Sequence, residues 1–271
     1  MPGFPIIVVP DPEEPGTAEL FVDGFIRRDK YRFLLDTGAG RTFLKWSRRN
    51  SHFSKEGDFQ TSGIFRGHNH DLISIPSLKL GPMKWENIRV ARSKKGGEEG
   101  HDLIGMDLLK QHCLHFKFHK RWVDVLGSKH KSPKPVLSLK TDKAWHPYIE
   151  VVMGSNTGQA VWDTGASITV VDKAFIAANS GHFSQIGTSK GTDASGKTLE
   201  TPLMVMKAFK IADHSFPTQR VASVDLSFAN KGTEQRMDMI LGYNTMHHAD
   251  WLFDFPSRQW AITRMYPASA K

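Results

Sequence analysis

Apolar and polar residues alternate along this chain in short runs, and the runs stop at clusters of glycine, proline, asparagine and aspartate. Sustained 3.6-residue periodicity is scarce, so the pattern predicts an all-β protein. In the first half, residues 18–22 predict a strand, Asp23-Gly24 a turn, and residues 31–35 a strand running into Asp36-Thr37-Gly38-Ala39. The second half repeats the plan, with a strand over residues 148–153, a turn over 154–158, and residues 160–162 leading into Asp163-Thr164-Gly165-Ala166.

The repeat extends further. Leu103-Ile104-Gly105-Met106-Asp107 and Ile240-Leu241-Gly242-Tyr243-Asn244 each place two apolar residues before a glycine, and a short helix is expected after each glycine. Phe116-Lys117-Phe118 and Phe253-Asp254-Phe255 then alternate as strands, with an arginine and a tryptophan shortly after in both halves. The aspartates are 127 residues apart (163 − 36) and the glycines 137 (242 − 105), so the second half carries ten extra residues between its motifs. Such differences fall in loops.

Lys129, Lys131, Pro133, Lys134 and Pro135 have the composition of an exposed connector. They divide the chain into residues 1–127, a linker 128–143, and residues 144–271. Between the two motifs of each half lie glycine-bearing turns, one with Gly63, Phe65 and Gly67 and one with Asp193 and Gly196. Either is a candidate hairpin tip.

With 39% apolar and 24% charged residues among 271, the chain can bury a core and is expected to be globular. Cys113 is the single cysteine, which excludes an intramolecular disulfide. The N-terminus has neither a basic leader nor an apolar run of signal-peptide or membrane-span length, so a cytoplasmic protein without membrane association is expected. The net charge of +8 raises nucleic acid as a partner, but the basic residues are scattered without aromatic stacking positions, and no nucleic-acid site is expected. His68-Asn69-His70, His112-Cys113-Leu114-His115 and His247-His248 each lack a second cluster at ligand spacing, so no metal and no cofactor are expected.

One Asp-Thr-Gly arises by chance in about one chain of this length in twenty. Two at equivalent places in a repeated plan, each after an apolar strand and each continuing to alanine, form a specific signal. On these motifs both halves resemble retroviral-type aspartic protease subunits, and their tandem order resembles the pepsin layout. The resemblance covers most of each half.

It implies a bilobal acid-protease fold of two similar β-barrel-like lobes related by a pseudo-twofold axis. It also implies a monomer in which Asp36 and Asp163 form the catalytic pair acting on a peptide or protein substrate. Thr37 and Thr164 would bond across the lobe interface, Gly38 and Gly165 would let the loops turn beside the carboxylates, and Ala39 and Ala166 mark the retroviral type. Where pepsin-type enzymes often carry a hydroxyl, these alanines imply an optimum nearer weakly acidic pH. Gly40 departs from the polar residue that Ser167 supplies in the second motif, and Phe65 stands where a flap tyrosine would be. Trp162, before Asp163, is a residue for the core or for a substrate pocket. The competing functions are a peptide-binding module that does not cleave and, on charge alone, a nucleic-acid-associated protein.

Overall fold

The computed structural model of the protein describes residues 1–62, 67–97, 100–127, 136–192, 198–231 and 233–266. Three sheets organise these residues. The first belongs to the first half and runs Ile7–Pro10, Ala18–Ile26, Asp29–Leu35, Leu103–Ile104, Phe43–Leu44, Met83–Arg92, Gly67–Leu80, Lys55–Ser62. Ala18–Ile26 also pairs with Gly67–Leu80, Phe25 opposite Lys79, so the sheet curls back on itself. The second sheet is built around the hairpin Pro147–Met153 and Asn156–Trp162.

The third sheet joins the halves. Its middle strands, Cys113–Lys117 and Ala249–Asp254, pair antiparallel, with Leu114 opposite Phe253 and Phe116 opposite Trp251. Each is flanked by its own hairpin partner, Trp122–Leu126 and Gln259–Met265. The edges repeat as well, Gly3 pairing with Asp124 on one side and Leu137 with Trp260 on the other. A pseudo-twofold axis therefore passes between the middle strands, as two copies of one plan require.

Two turn expectations are corrected. Asp23 and Gly24 lie inside Ala18–Ile26, paired with Arg32 and Tyr31, and the chain reverses later, with Arg27 at φ 55°. Gly24 serves a strand crossing instead: a Cβ there would lie 2.9 Å from the Lys79 carbonyl oxygen and 3.0 Å from the Phe33 ring. Asp23 is held by Lys30 and Arg32 at 2.7 and 3.1 Å. In the second half the turn is confined to Gly154 and Ser155, with Gly154 at φ 60°. Gly158 belongs to the next strand, where a Cβ would meet the Phe175 ring at 2.9 Å.

Helices Met106–Leu109 and Tyr243–Met246 follow the two glycines as expected. Phe118 and Phe255 fall just beyond their strands. Each opens a tight turn whose carbonyl accepts from an arginine three residues on, Arg121 at φ 49° and Arg258 at φ 52°. The repeated arginine is thus the left-handed residue of a repeated turn.

Trp162 is a core residue. It is fully buried, with ring centroids 4.5 Å from Phe253, 4.8 Å from Phe116 and 5.8 Å from Trp251. It therefore clamps the strand entering the second loop to the sheet that joins the halves. Trp162→Ala should lose about 3–5 kcal/mol, read as a lower urea midpoint at unchanged slope. Cys113 is buried too, and burial, followed by the Asp254 charge, pushes its thiol up to about 12. It is therefore a neutral core thiol at physiological pH.

Candidate active site

Each aspartate stands at the end of a strand pinned by a parallel neighbour. Leu35 pairs with Ile104, and Trp162 with Leu241. The same register is locked one step on: Asp36 N donates to Ile104 O at 3.0 Å and Asp163 N to Leu241 O at 3.1 Å. Each loop is then closed by a helix start, Met106 N donating to Ala39 O and Tyr243 N to Ala166 O, both at 2.8 Å. The glycines before these helices are dictated by space. A Cβ at Gly105 would lie 2.7 Å from Ala39 O, and one at Gly242 would lie 2.9 Å from Ala166 O.

A second repeated constellation, which the motif reading passed over, braces both loops. Thr42 Oγ1 donates to Asp107 Oδ1 at 2.7 Å and accepts from Gly105 N at 3.1 Å, while Thr42 N donates to the same carboxylate oxygen at 2.8 Å. Thr169 repeats the pattern with Asn244 Oδ1, at 2.8 Å from both N and Oγ1, and accepts from Gly242 N at 3.1 Å. The signal was present in the sequence. A threonine follows each aspartate by six residues, and Asp107 and Asn244 each follow their glycine by two.

The two loops meet through their threonines and glycines. Thr37 N donates to Thr164 Oγ1 at 3.1 Å, and Thr164 N to Thr37 Oγ1 at 3.0 Å. Thr37 Oγ1 in turn donates to the Trp162 carbonyl at 2.7 Å. Gly38 N reaches across to Asp163 Oδ1 at 2.9 Å, an oxygen that also accepts from Gly165 N at 2.8 Å. The packing is reciprocal: a Cβ on Gly38 would overlap the Asp163 carboxyl, and one on Gly165 would lie 2.7 Å from Asp36 Oδ1.

Asp36 is buried, at 5% exposure, while Asp163 is half-buried. Burial first, then the Asp163 charge and the hydrogen bond between the carboxyls, push Asp36 well above the ordinary carboxylate range against the Gly38 and Ala39 N–H groups. Burial raises Asp163 as well, opposed by the Gly165 N–H, the bond from Asp36, the Gly38 N–H and the His146 charge. Both carboxyls are raised as one pair, and the geometry distinguishes them: Asp163 Oδ1 accepts two N–H groups, while Asp36 is the more deeply buried. Two carboxyls this close cannot both ionise cheaply, which is the shared-proton state.

Apolar residues pack beside both loops. Ala39 packs, as Phe43 does, against the cluster of Phe21, Leu34 and Leu103, and Ala166 packs against the cluster containing Tyr148, Val161 and Ile240. Gly40 has a steric explanation, since a Cβ there would come 3.0 Å from the Ala144 Cβ. The chain leading into the second hairpin fills the space a side chain at residue 40 would need.

Of the candidate hairpin tips, Gly63, Phe65, Asp193 and Gly196 lie outside the described residues. Their flanking strands pair as hairpins, Ser62 with Gly67 and Thr192 with Thr198. Among the described residues no group of three or more His, Cys, Asp or Glu is placed to hold a metal ion, and no helix is long and apolar enough to cross a membrane.

Residues 149–245 match the profile of the family described as aspartyl protease. Across the whole chain the structure is similar to the crystal structure of the aspartic proteinase from Irpex lacteus, at 14% sequence identity, covering 99% of both chains with a TM-score of 0.59. Comparison with curated proteins gives no match. The chain is thus aspartic protease-like: it has the aspartic proteinase fold throughout, and its second half carries the family's sequence signature.

Proposed function

We propose that this chain is an aspartic endopeptidase in which Asp36 and Asp163 activate a water for attack on a peptide bond. The observation carrying this reading is the reciprocal contact of the two loops, in which Gly38 N bonds to Asp163 across 125 residues of sequence while Gly165 packs on Asp36. Such a pair supplies both roles general acid–base catalysis needs. Asp163, fixed by two N–H donors on one oxygen, takes the proton of the water as it attacks the carbonyl carbon. Asp36 gives its proton to the carbonyl oxygen, producing a gem-diol; Asp163 then passes the water's proton to the nitrogen as the C–N bond breaks, and a gem-diol hydroxyl returns a proton to Asp36. The aspartic-protease pair is the standard example of this shared-proton behaviour.

Both aspartates come from one chain, which supports a monomer as the active species. The apolar residues beside Ala39 and Ala166 favour hydrophobic substrate side chains next to the cleaved bond, with an extended peptide lying between the halves. The hairpin of Lys55–Ser62 and Gly67–Leu80 and that of Phe183–Thr192 and Thr198–Met206 are the elements available to cover it.

Activity requires one carboxyl protonated and its partner ionised. Because Asp36 is raised well above its ordinary value, it keeps its proton into the weakly acidic range, and activity falls as pH rises through its titration. A pH–rate profile on a mixed peptide library should therefore peak in weakly acidic solution. A peak below about pH 3 would contradict the assignment of Asp36 as the proton holder.

A further inference from the structure

The strand register places an ionisable residue opposite each aspartate, and the two differ in sign. Tyr148 with Val161 is the last pair of the second hairpin, and counting on by two residues brings His146 level with Asp163. In the first half the last pair of the hairpin is Phe21 with Leu34, and counting on by two residues brings Glu19, itself paired with Val9 on its other side, level with Asp36. Both residues precede their aspartate by 17 positions (163 − 146 and 36 − 19), so the pseudo-twofold axis relates them.

His146 is fixed from behind by Asp142. Its Nδ1 is 2.7 Å from Asp142 Oδ2, its backbone N donates to Oδ1 at 3.1 Å, and Tyr148 Oη donates to Oδ2 at 3.3 Å. Burial works to raise the Asp142 carboxyl, but the bond and charge of His146 and the N–H groups of His146 and Ala144 outweigh it and hold it below its ordinary value. An ionised carboxylate only accepts, so Nδ1 carries the hydrogen and Nε2 is the nitrogen left to face a ligand. Nε2 has no hydrogen-bond partner among the described residues. Ala144 packs on Gly40 of the other loop, so this segment stands where the loops meet.

The first half has the inverse arrangement. Glu19 is 42% exposed at the equivalent position, with His101 Nε2 behind it at 3.4 Å. His101 in turn sits edge-on to Phe21 at 4.9 Å, and Phe21 belongs to the apolar wall that includes Ala39.

We propose that Glu19 and His146 make the peptide groove electrically polar, the side of Asp163 receiving an acidic substrate side chain on His146 and the side of Asp36 a basic one on Glu19. This rests on the peptidase reading above and adds its substrate class: apolar at the cleaved bond and oppositely charged on its two flanks. A peptide entering in the reversed sense sets like charges against each other on both flanks, so the groove also selects chain direction.

The test uses peptides sharing one apolar cleavage core, with glutamate and lysine on the two flanks in either order, and a glutamine-flanked reference, in weakly acidic buffer. Wild type should favour one order over the reverse by about tenfold in kcat/KM, the size of a charge-assisted hydrogen bond. His146→Gln should bring the glutamate preference, measured against the reference peptide, to about one while the lysine preference survives, and Glu19→Gln should do the converse. Equal rates for both orders in wild type, or preferences unchanged in both variants, overturn the proposal. Binding of the same peptides to Asp36→Asn, followed by fluorescence anisotropy, reads the polarity without catalysis, and equal affinities for the two orders overturn it as well. If wild type cleaves none of the peptides, including the reference, the peptidase reading fails while the binding series still decides the polarity.

Discussion

Asp36→Asn is expected to lower peptide hydrolysis by about 10²–10⁴-fold, the contribution of a positioned acid or base, and at the same time to make the folded chain harder to unfold at neutral pH. The two effects have one origin. Burial and the facing Asp163 raise Asp36 well above its ordinary value, so the folded chain holds a proton there that the unfolded chain releases. Its stabilising contribution is fully present below the unfolded carboxyl value and is lost as pH rises through the folded one. An asparagine has no such titration. Thermal unfolding of the variant and wild type should therefore nearly coincide in acid and diverge toward pH 7, with the variant more stable. A wild-type advantage that grows with pH would mean that Asp36 is stabilised as the anion and is not the proton holder.

Gly165→Ala should be nearly as damaging to activity, with a loss of about 100-fold or more, because misplacing a catalytic group by about 1 Å already costs this much. The backbone is not the reason: Gly38 and Gly165 are absent from the residues with positive φ. The reason is space. A Cβ on Gly165 would lie 2.7 and 2.8 Å from the two Asp36 oxygens, and that carboxyl is itself buried. Overpacking of this kind costs about 1–3 kcal/mol of stability. Gly38→Ala should match it from the other side, where the added carbon overlaps Asp163. Gly181→Ala, with no atom within 4 Å of its added Cβ, provides the control and should leave both kcat/KM and the unfolding midpoint near wild type. Equal loss in all three variants would show that crowding of the carboxyls is not the cause.

The parts of the molecule that were legible in the sequence are those in which chemistry and repetition coincide. Asp-Thr-Gly-Ala occurs twice, each time after an apolar strand, and the two loops meet as the tandem plan implies. The helices after Gly105 and Gly242 were legible for the same reason. Asp23-Gly24 misled because the pair carries the strongest local turn signal, whereas its glycine answers to a strand crossing near Lys79 that no local window contains. The hairpin arginines Arg27, Arg121 and Arg258 have positive φ without being glycine or asparagine, so composition could not mark their turns. The Thr42 and Thr169 braces were visible only as a spacing, and they gain meaning once Asp107 and Asn244 are seen to receive them. Glu19 and His146 are further removed still, since their equivalence depends on the register of two hairpins.

The two halves are thus alike in frame and unlike in charge. Thr42 is braced by a carboxylate and Thr169 by an amide, and burial raises the Asp107 carboxyl above its ordinary value against the bonds of Thr42. A single chain can hold such differences because each half is encoded separately.

The central claim is that Asp36 and Asp163 act together on peptide bonds, and the most direct measurement is digestion of a mixed peptide library from about pH 3 to 8 by wild type, Asp36→Asn and Asp163→Asn, with the products identified by mass spectrometry. Cleavage by wild type that disappears in both variants is the predicted result. Cleavage that persists in either variant at the wild-type rate would contradict the shared pair and place the activity elsewhere.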